Sequence, residues 1–172
     1  MNYGEIKKAD IANGIGVRVS LFVSGCRHHC PDCFNSMTWD FNYGKKYTSD
    51  TENEIIGLLS RSYIRGLTLI GGEPMEKENQ ITLVSLLRRI KRDLPTKDVW
   101  CYSGFTYEEL TGDSRARCDV TDEMLSMIDV LVDGRFEKDK KNISLRFRGS
   151  ENQRIIDLNK TRKTGNIVLW TE

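Results

Sequence analysis

The sequence predicts an α/β fold, a partial, open (β/α) barrel on a mainly parallel sheet of about five or six strands. Three observations carry this. Short apolar runs alternate with amphipathic stretches along most of the chain, the order that builds parallel sheets with helices packed outside. The chain has 172 residues, too few for the eight strand–helix units of a closed barrel. Each apolar run ends in a loop rich in glycine and polar residues. Right-handed crossovers would bring those loops to one rim, where active sites of such folds form.

The elements follow in order. Residues 1–16 are mixed, contain the turn former Asn13-Gly14, and offer at most a short strand. Residues 17–23 (VRVSLFV) are β-branched and aromatic between glycines, hence a strand. Ser49 and Glu52 form a capping-box pattern before Ile55, Ile56, Leu58 and Leu59, which predicts a helix. Residues 66–70 (GLTLI) form a short buried strand ended by Gly71-Gly72-Glu73-Pro74. Residues 79–92 carry Ile81, Val84, Leu87 and Ile90 at helical spacing. Arg88, Arg89, Lys91 and Arg92 suit the negative end of that helix dipole, and Pro95 stops it.

Residues 98–102 (DVWCY) are the third strand, closed by Ser103-Gly104. Thr106 and Glu109 open a short helix, residues 111–119 form a polar loop, and residues 121–128 form a further helix. Residues 129–132 make a fourth strand, followed by Asp133-Gly134-Arg135-Phe136. Residues 137–142 are a charge run expected to be a solvated turn, and residues 155–158 and 166–170 offer short strands. One domain is expected over residues 1–158, with a C-terminal tail of unassigned structure over residues 159–172.

Composition bounds the function. A net charge of +1 with 38% hydrophobic residues suits one core and speaks against a nucleic-acid binder. The apolar run 17–23 is short, contains Arg18, lacks a basic leader and is no signal peptide; nothing approaches a membrane span. Of five cysteines, three crowd one loop, which points to a reducing, cytoplasmic setting rather than a disulfide framework. Cys101 sits in an apolar run as a small buried hydrophobe, and Cys118 is assigned no role.

The loop over residues 24–35 reads SGCRHHCPDCFN, placing Cys26, Cys30 and Cys33 at C-x3-C-x2-C spacing. Three thiolates this close can converge on one inorganic centre. Iron–sulfur clusters are normally held by four, so a four-iron cluster on this set keeps one iron open for chemistry. The alternative is a zinc knuckle with His28 or His29 as fourth ligand, a non-enzymatic interaction module. Its ligand types fit zinc, but the spacing does not pair as C-x2-C hooks do. Phe34, Trp39, Phe41 and Tyr43 make the exit of the loop aromatic.

The cysteine spacing, with Gly71-Gly72-Glu73-Pro74 after the next strand, resembles the radical S-adenosylmethionine superfamily. More narrowly, LFVSGC, CPDCFN, VLVDGRF (residues 130–136) and LRFRGSENQR (residues 145–154) resemble the activases of anaerobic (class III) ribonucleoside-triphosphate reductase. The chain departs from the pattern in having GGEP where relatives often show GGDP. It has Asp32 where many superfamily members carry an aromatic, and Trp100-Cys101-Tyr102-Ser103-Gly104-Phe105 where relatives are richer in tryptophan.

The resemblance implies a radical S-adenosylmethionine fold with Cys26, Cys30 and Cys33 holding a [4Fe-4S] cluster. It implies S-adenosylmethionine beside Asp32, Cys33 and Phe34, its amino group on Gly71, Gly72 and Glu73, with Ser103 and Asp133 at the ribose or carboxylate end. It implies reductive cleavage to a 5′-deoxyadenosyl radical that makes a glycyl radical on the reductase's catalytic subunit. A small reducing partner such as a flavodoxin-type donor would supply the electron. No protein side chain acts as a general base, so His28 and His29 are expected to be ordinary loop residues. Within the enzyme class the alternatives are the activase of another glycyl-radical enzyme and a short enzyme acting on a small molecule. The residues 144–154, with Arg148 and Arg154, are expected to form part of the docking rim.

Overall fold

A computed structural model describes residues 1–171. Seven strands form one sheet: β1 (Asn2–Asp10), β2 (Arg18–Val23), β3 (Lys45–Lys46), β4 (Gly66–Gly71), β5 (Asp98–Ser103), β6 (Val130–Asp133) and β7 (Arg154–Asp157), in the order β3-β1-β2-β4-β5-β6-β7. The helices are α1 (Ser49–Leu59), α2 (Lys77–Asp93), α3 (Tyr107–Thr111), α4 (Thr121–Met127) and α5 (Leu158–Thr164). The central strands β2, β4, β5 and β6 run parallel in chain order. The flanking pairs β1–β2, β1–β3 and β6–β7 are antiparallel, so the sheet is parallel through its centre, as expected, and mixed at its edges.

Steady progress of right-handed crossovers in one direction puts their helices on one face. Strand alternation then sorts the side chains. Val19, Leu21, Val23, Leu67, Leu69, Val99, Cys101 and Leu131 join the large core with Ile55, Leu83, Leu87 and Met124 from the helices. The alternate residues face the other way. There Arg18, fully buried, pairs with Asp98 at 2.6 Å and donates to Thr68 Oγ1 at 2.7 Å. Trp100, Val130 and Val132 form a second, smaller core on this open face with Phe147 and Trp170 packed against it.

Several local expectations shift. The first segment is a nine-residue strand; its signal was weak because only Tyr3 and Asp10 are buried along it, and Lys45–Lys46 makes a short charged edge beyond it, which discourages further pairing. The cap of α1 is one residue earlier than the pattern suggested: Thr48 and Thr51 exchange the two capping bonds. Ile81 lies 65% exposed on α2, off the buried stripe of Leu83, Val84, Leu87 and Ile90. The cations of the last turns of α2 meet specific carboxylates: Arg88 binds Glu123 and Lys91 binds Asp129. The chain past residue 158 continues as α5, ended by Gly165. Residues 166–170 supply an isolated bridge, Leu169 to Ile156, in place of a strand.

Candidate functional site

The loops after β2, β4, β5 and β6 leave the parallel strands at one edge, and they surround a cavity of about 570 Å³ on the open face of the sheet. That size suits a small-molecule site. Cys26, Cys30 and Cys33 all line it, as do Gly71, Gly72 and Glu73 from the turn after β4. Phe22, Ile70 and Tyr102, open-face residues of β2, β4 and β5, line it too.

The turn after β4 is built against the cysteine loop. Gly72 N donates to Val23 O at 2.7 Å and Glu73 N to Gly25 O at 2.8 Å. A Cβ on Gly72 would stand 2.7 Å from Gly25 O, and Gly71 has φ +108° with β2 backbone 2.7 Å from the place of its Cβ. The close approach that demands two glycines is therefore to the protein's own backbone. Asn79, at the start of α2, donates to both Ser24 O and Glu73 O.

Glu73 is 1% exposed. Its Oε1 accepts from Met75 N at 2.8 Å and Ser103 Oγ at 2.9 Å; its Oε2 accepts from Gly104 N at 2.7 Å and faces His28 Nε2 at 2.9 Å. The carboxylate thus ties three rim loops together, and Ser103 reaches the cavity wall as one of its donors. Glu76 does similar work outside the cavity. It is buried and accepts from Arg27 N, the Arg27 guanidinium and Arg115.

Two sequence-predicted positions lie elsewhere. Asp32 has φ 58° and its carboxylate turns outward to Lys138 Nζ at 2.9 Å, so it does not line the cavity. Asp133 shares the parity of Leu131 and points to the helix side, 1% exposed. There it accepts from Tyr107 N at 2.7 Å and pairs with Arg154, serving the start of α3 instead of a ligand. Phe34, 62% exposed, remains at the cavity mouth against Phe136, ring centroids 5.2 Å apart.

The two histidines differ: the His28 side chain is buried, whereas His29 is an exposed loop residue as expected. His28 is buried against Glu73, with its ring edge-to-face on Phe105, and His29 stacks on Trp39 at 4.6 Å. The hydrogen bond from Nε2 to Glu73 engages His28. Sequence reasoning missed Glu76 and Asn79, and the pairing of His28 with Glu73. The available signal was a histidine between two candidate ligands and two polar residues closely following a glycine turn.

Burial pushes the Cys26 thiol up to about 12, with the Glu73 charge adding to it, and burial also raises Cys30. Binding to a metal removes that proton. Among the described residues no three His, Cys, Asp or Glu side chains are already drawn into a metal-holding group; the three thiols share the cavity wall. The donor set itself, three cysteines from one loop, fits an iron–sulfur cluster, and the 570 Å³ cavity beside it leaves room for a second ligand.

Fold and site define an α/β iron–sulfur protein: the family model for a 4Fe-4S single cluster domain matches residues 12–156, a span holding all three cysteines. The chain belongs to the family of anaerobic ribonucleoside-triphosphate reductase-activating proteins. It is 41% identical over 157 residues to the protein of that name from Vibrio cholerae, covering 90% of this chain and 97% of that one. Against the Escherichia coli (strain K12) protein the identity is 42% over 155 residues, covering 89% and 96%. Against that of Enterobacteria phage T4 it is 40% over 155 residues, covering 90% and 93%.

Proposed function

We propose that this chain is a radical S-adenosylmethionine activase that installs a glycyl radical on anaerobic ribonucleoside-triphosphate reductase. The observation that carries the reading is the placing of Cys26, Cys30 and Cys33 on one wall of a single cavity in a chain of this family. Cys26, Cys30 and Cys33 would hold the [4Fe-4S] cluster, and S-adenosylmethionine would lie in the cavity over the open face of the sheet. When bound, cluster and S-adenosylmethionine together supply a 5′-deoxyadenosyl radical able to take hydrogen from a backbone glycine of the reductase.

The chain's own residues bind, orient and exclude water. Phe22, Ile70 and Tyr102 give the cavity an apolar floor. The Gly71–Glu73 turn lines the cavity, where the carbonyl oxygens of its two glycines would suit an ammonium group. Glu73 acts by holding that turn to the cysteine loop. Phe34 closes one side of the mouth. The sheet, short of strands, is read as a partial barrel whose open side admits the reductase's glycine segment, since the reacting atoms must approach to about 3–3.5 Å. A reducing, cytoplasmic setting and a flavodoxin-type donor complete the proposal.

Anaerobic reconstitution tests it. The parent should take up iron and sulfide, turn brown, and form 5′-deoxyadenosine with S-adenosylmethionine and a reductant. Cys26→Ala, Cys30→Ala and Cys33→Ala should each lose iron, while Cys101→Ala and Cys118→Ala keep it. A colourless zinc protein, or full iron in Cys30→Ala, overturns the reading.

A further inference from the structure

We infer that His28 is a positioning residue of the metal centre, whose imidazole fixes the three-cysteine loop over the cavity by donating from Nε2 to Glu73. The inference rests on the reading of Cys26, Cys30 and Cys33 as cluster ligands. His28 lies between two of them, yet its side chain is only 3% exposed.

Its ring occupies a built slot. Nε2 stands 2.9 Å from Glu73 Oε2. Nδ1 stands 3.5 Å from Arg115 Nη2. The ring meets Phe105 edge-to-face at 4.4 Å between centroids. The third wall is Gly104, where an added Cβ would come 2.5 Å from His28 Cδ2. A guanidinium only donates and a carboxylate only accepts. The carboxylate at 2.9 Å therefore takes the hydrogen bond from Nε2, and Nδ1 faces Arg115.

The loop needs such an anchor. His29 and Asp32 have φ 50° and 58°, a left-handed conformation that residues other than glycine seldom adopt and that persists only when the surroundings hold it. His29 is held by Trp39 and Asp32 by Lys138, both at the surface side of the loop. Backbone ties hold the start of the loop, with Glu73 N donating to Gly25 O and Arg27 N to Glu76, and His28 adds the buried side-chain tie between Cys26 and Cys30. Through Glu73 it joins the cysteine loop to the turns after β4 and β5, so it sets where Cys26 and Cys30 stand relative to the cavity wall. Arg115, stacked on Phe105 at 4.5 Å and bound to Glu76, backs the ring from outside.

The test compares His28→Phe, which fills the slot without a donor, with His28→Gln, which keeps an amide N–H to donate. Amide exchange is followed on the full-length apo-protein, and iron content and the reduced-cluster electron paramagnetic resonance spectrum after anaerobic reconstitution. In His28→Phe the hydrogen-bonded amides of Cys26, Arg27, Cys33 and Gly104 should exchange at least about tenfold faster while the buried amides of α2 keep their protection. Iron retained after desalting should fall by half or more and the spectrum should change shape. His28→Gln should recover most of each. Gly104→Ala, whose Cβ expels the ring, should loosen the same amides with His28 intact. Parent-like exchange and iron in His28→Phe, or a His28→Gln no better than His28→Phe, overturns the inference. Exchange is read without iron, so it decides on His28 separately; failure of the parent to take up iron would instead overturn the cluster reading.

Discussion

Glu73 shows what a single buried carboxylate does in this molecule. Four donors converge on it from three loops, and a carboxylate offers about four lone-pair sites. Removing it leaves buried donors without partners, each worth about 1–3 kcal/mol. Glu73→Ala should therefore destabilise the apo-protein by at least about 3 kcal/mol, read by urea unfolding under reducing conditions. Loss of ligand affinity would follow from a displaced turn. An unchanged unfolding midpoint with weakened S-adenosylmethionine binding would instead give Glu73 the direct ligand contact that the family resemblance implied.

At the scale of elements, Arg154 at the start of β7 holds the end of β6 and the first turn of α3 together. It pairs with Asp133 and with Glu108, at 2.7 Å from the latter. The Arg154 guanidinium pulls Glu108 down to about 2 from an ordinary 4.5. A carboxylate depressed in the folded state stabilises above its unfolded pKa, and that contribution is lost as pH falls through the folded value. Arg154→Gln should thus flatten the fall in melting temperature between about pH 4.5 and pH 2. Glu108 is 59% exposed, so the effect should be small and shrink in high salt. An acid slope equal to that of the parent at low salt would count against the pairing. Arg154→Glu, for the same reason, would face two carboxylates and perturb the fold before any docking surface.

For the molecule as a whole, the four parallel strands aim the cysteine loop and the turns after β4, β5 and β6 at one rim, and the antiparallel flanks add the β1–β2 loop and the connection before β7 to the cavity lining. Arg148 lines the cavity mouth, and its hydrogen bonds among the described residues go to the backbone oxygens of Glu151 and Gln153. Among the described residues no carboxylate pairs with it, which is the ground for proposing it as a docking contact. Arg148→Glu should lower glycyl-radical yield on the reductase several-fold, seen by electron paramagnetic resonance, while partner-free formation of 5′-deoxyadenosine changes less. Equal yields would move the docking face elsewhere. At the opposite end, Trp170 meets Trp100 at 5.3 Å and Phe147 at 6.3 Å, closing the small core of the open face. Trp170→Ala should cost about 1–2 kcal/mol of stability, measured by denaturation, and a change under 0.5 kcal/mol, the ordinary range of surface substitutions, would mean the tail only rests on the surface.

The sequence by itself determined the α/β class, the four central strands, the placing of the four loops on one rim and the three-cysteine loop. Each is written in local pattern: apolar runs of strand length, glycine turns after them, and cysteines within eight positions of one another. Tertiary structure decided the rest, because it depends on which face a residue takes and what stands opposite. Strand parity sent Asp133 to the helix side and made it a partner of Arg154. A left-handed backbone turned Asp32 out to Lys138. A neighbouring strand made a strand of Asn2–Asp10, whose own apolar signal is thin. The ring of His28 found Glu73, 45 residues away, and no local spacing announces such a pair; only the crossing of two loops at the rim brings a histidine and a carboxylate into hydrogen-bond distance.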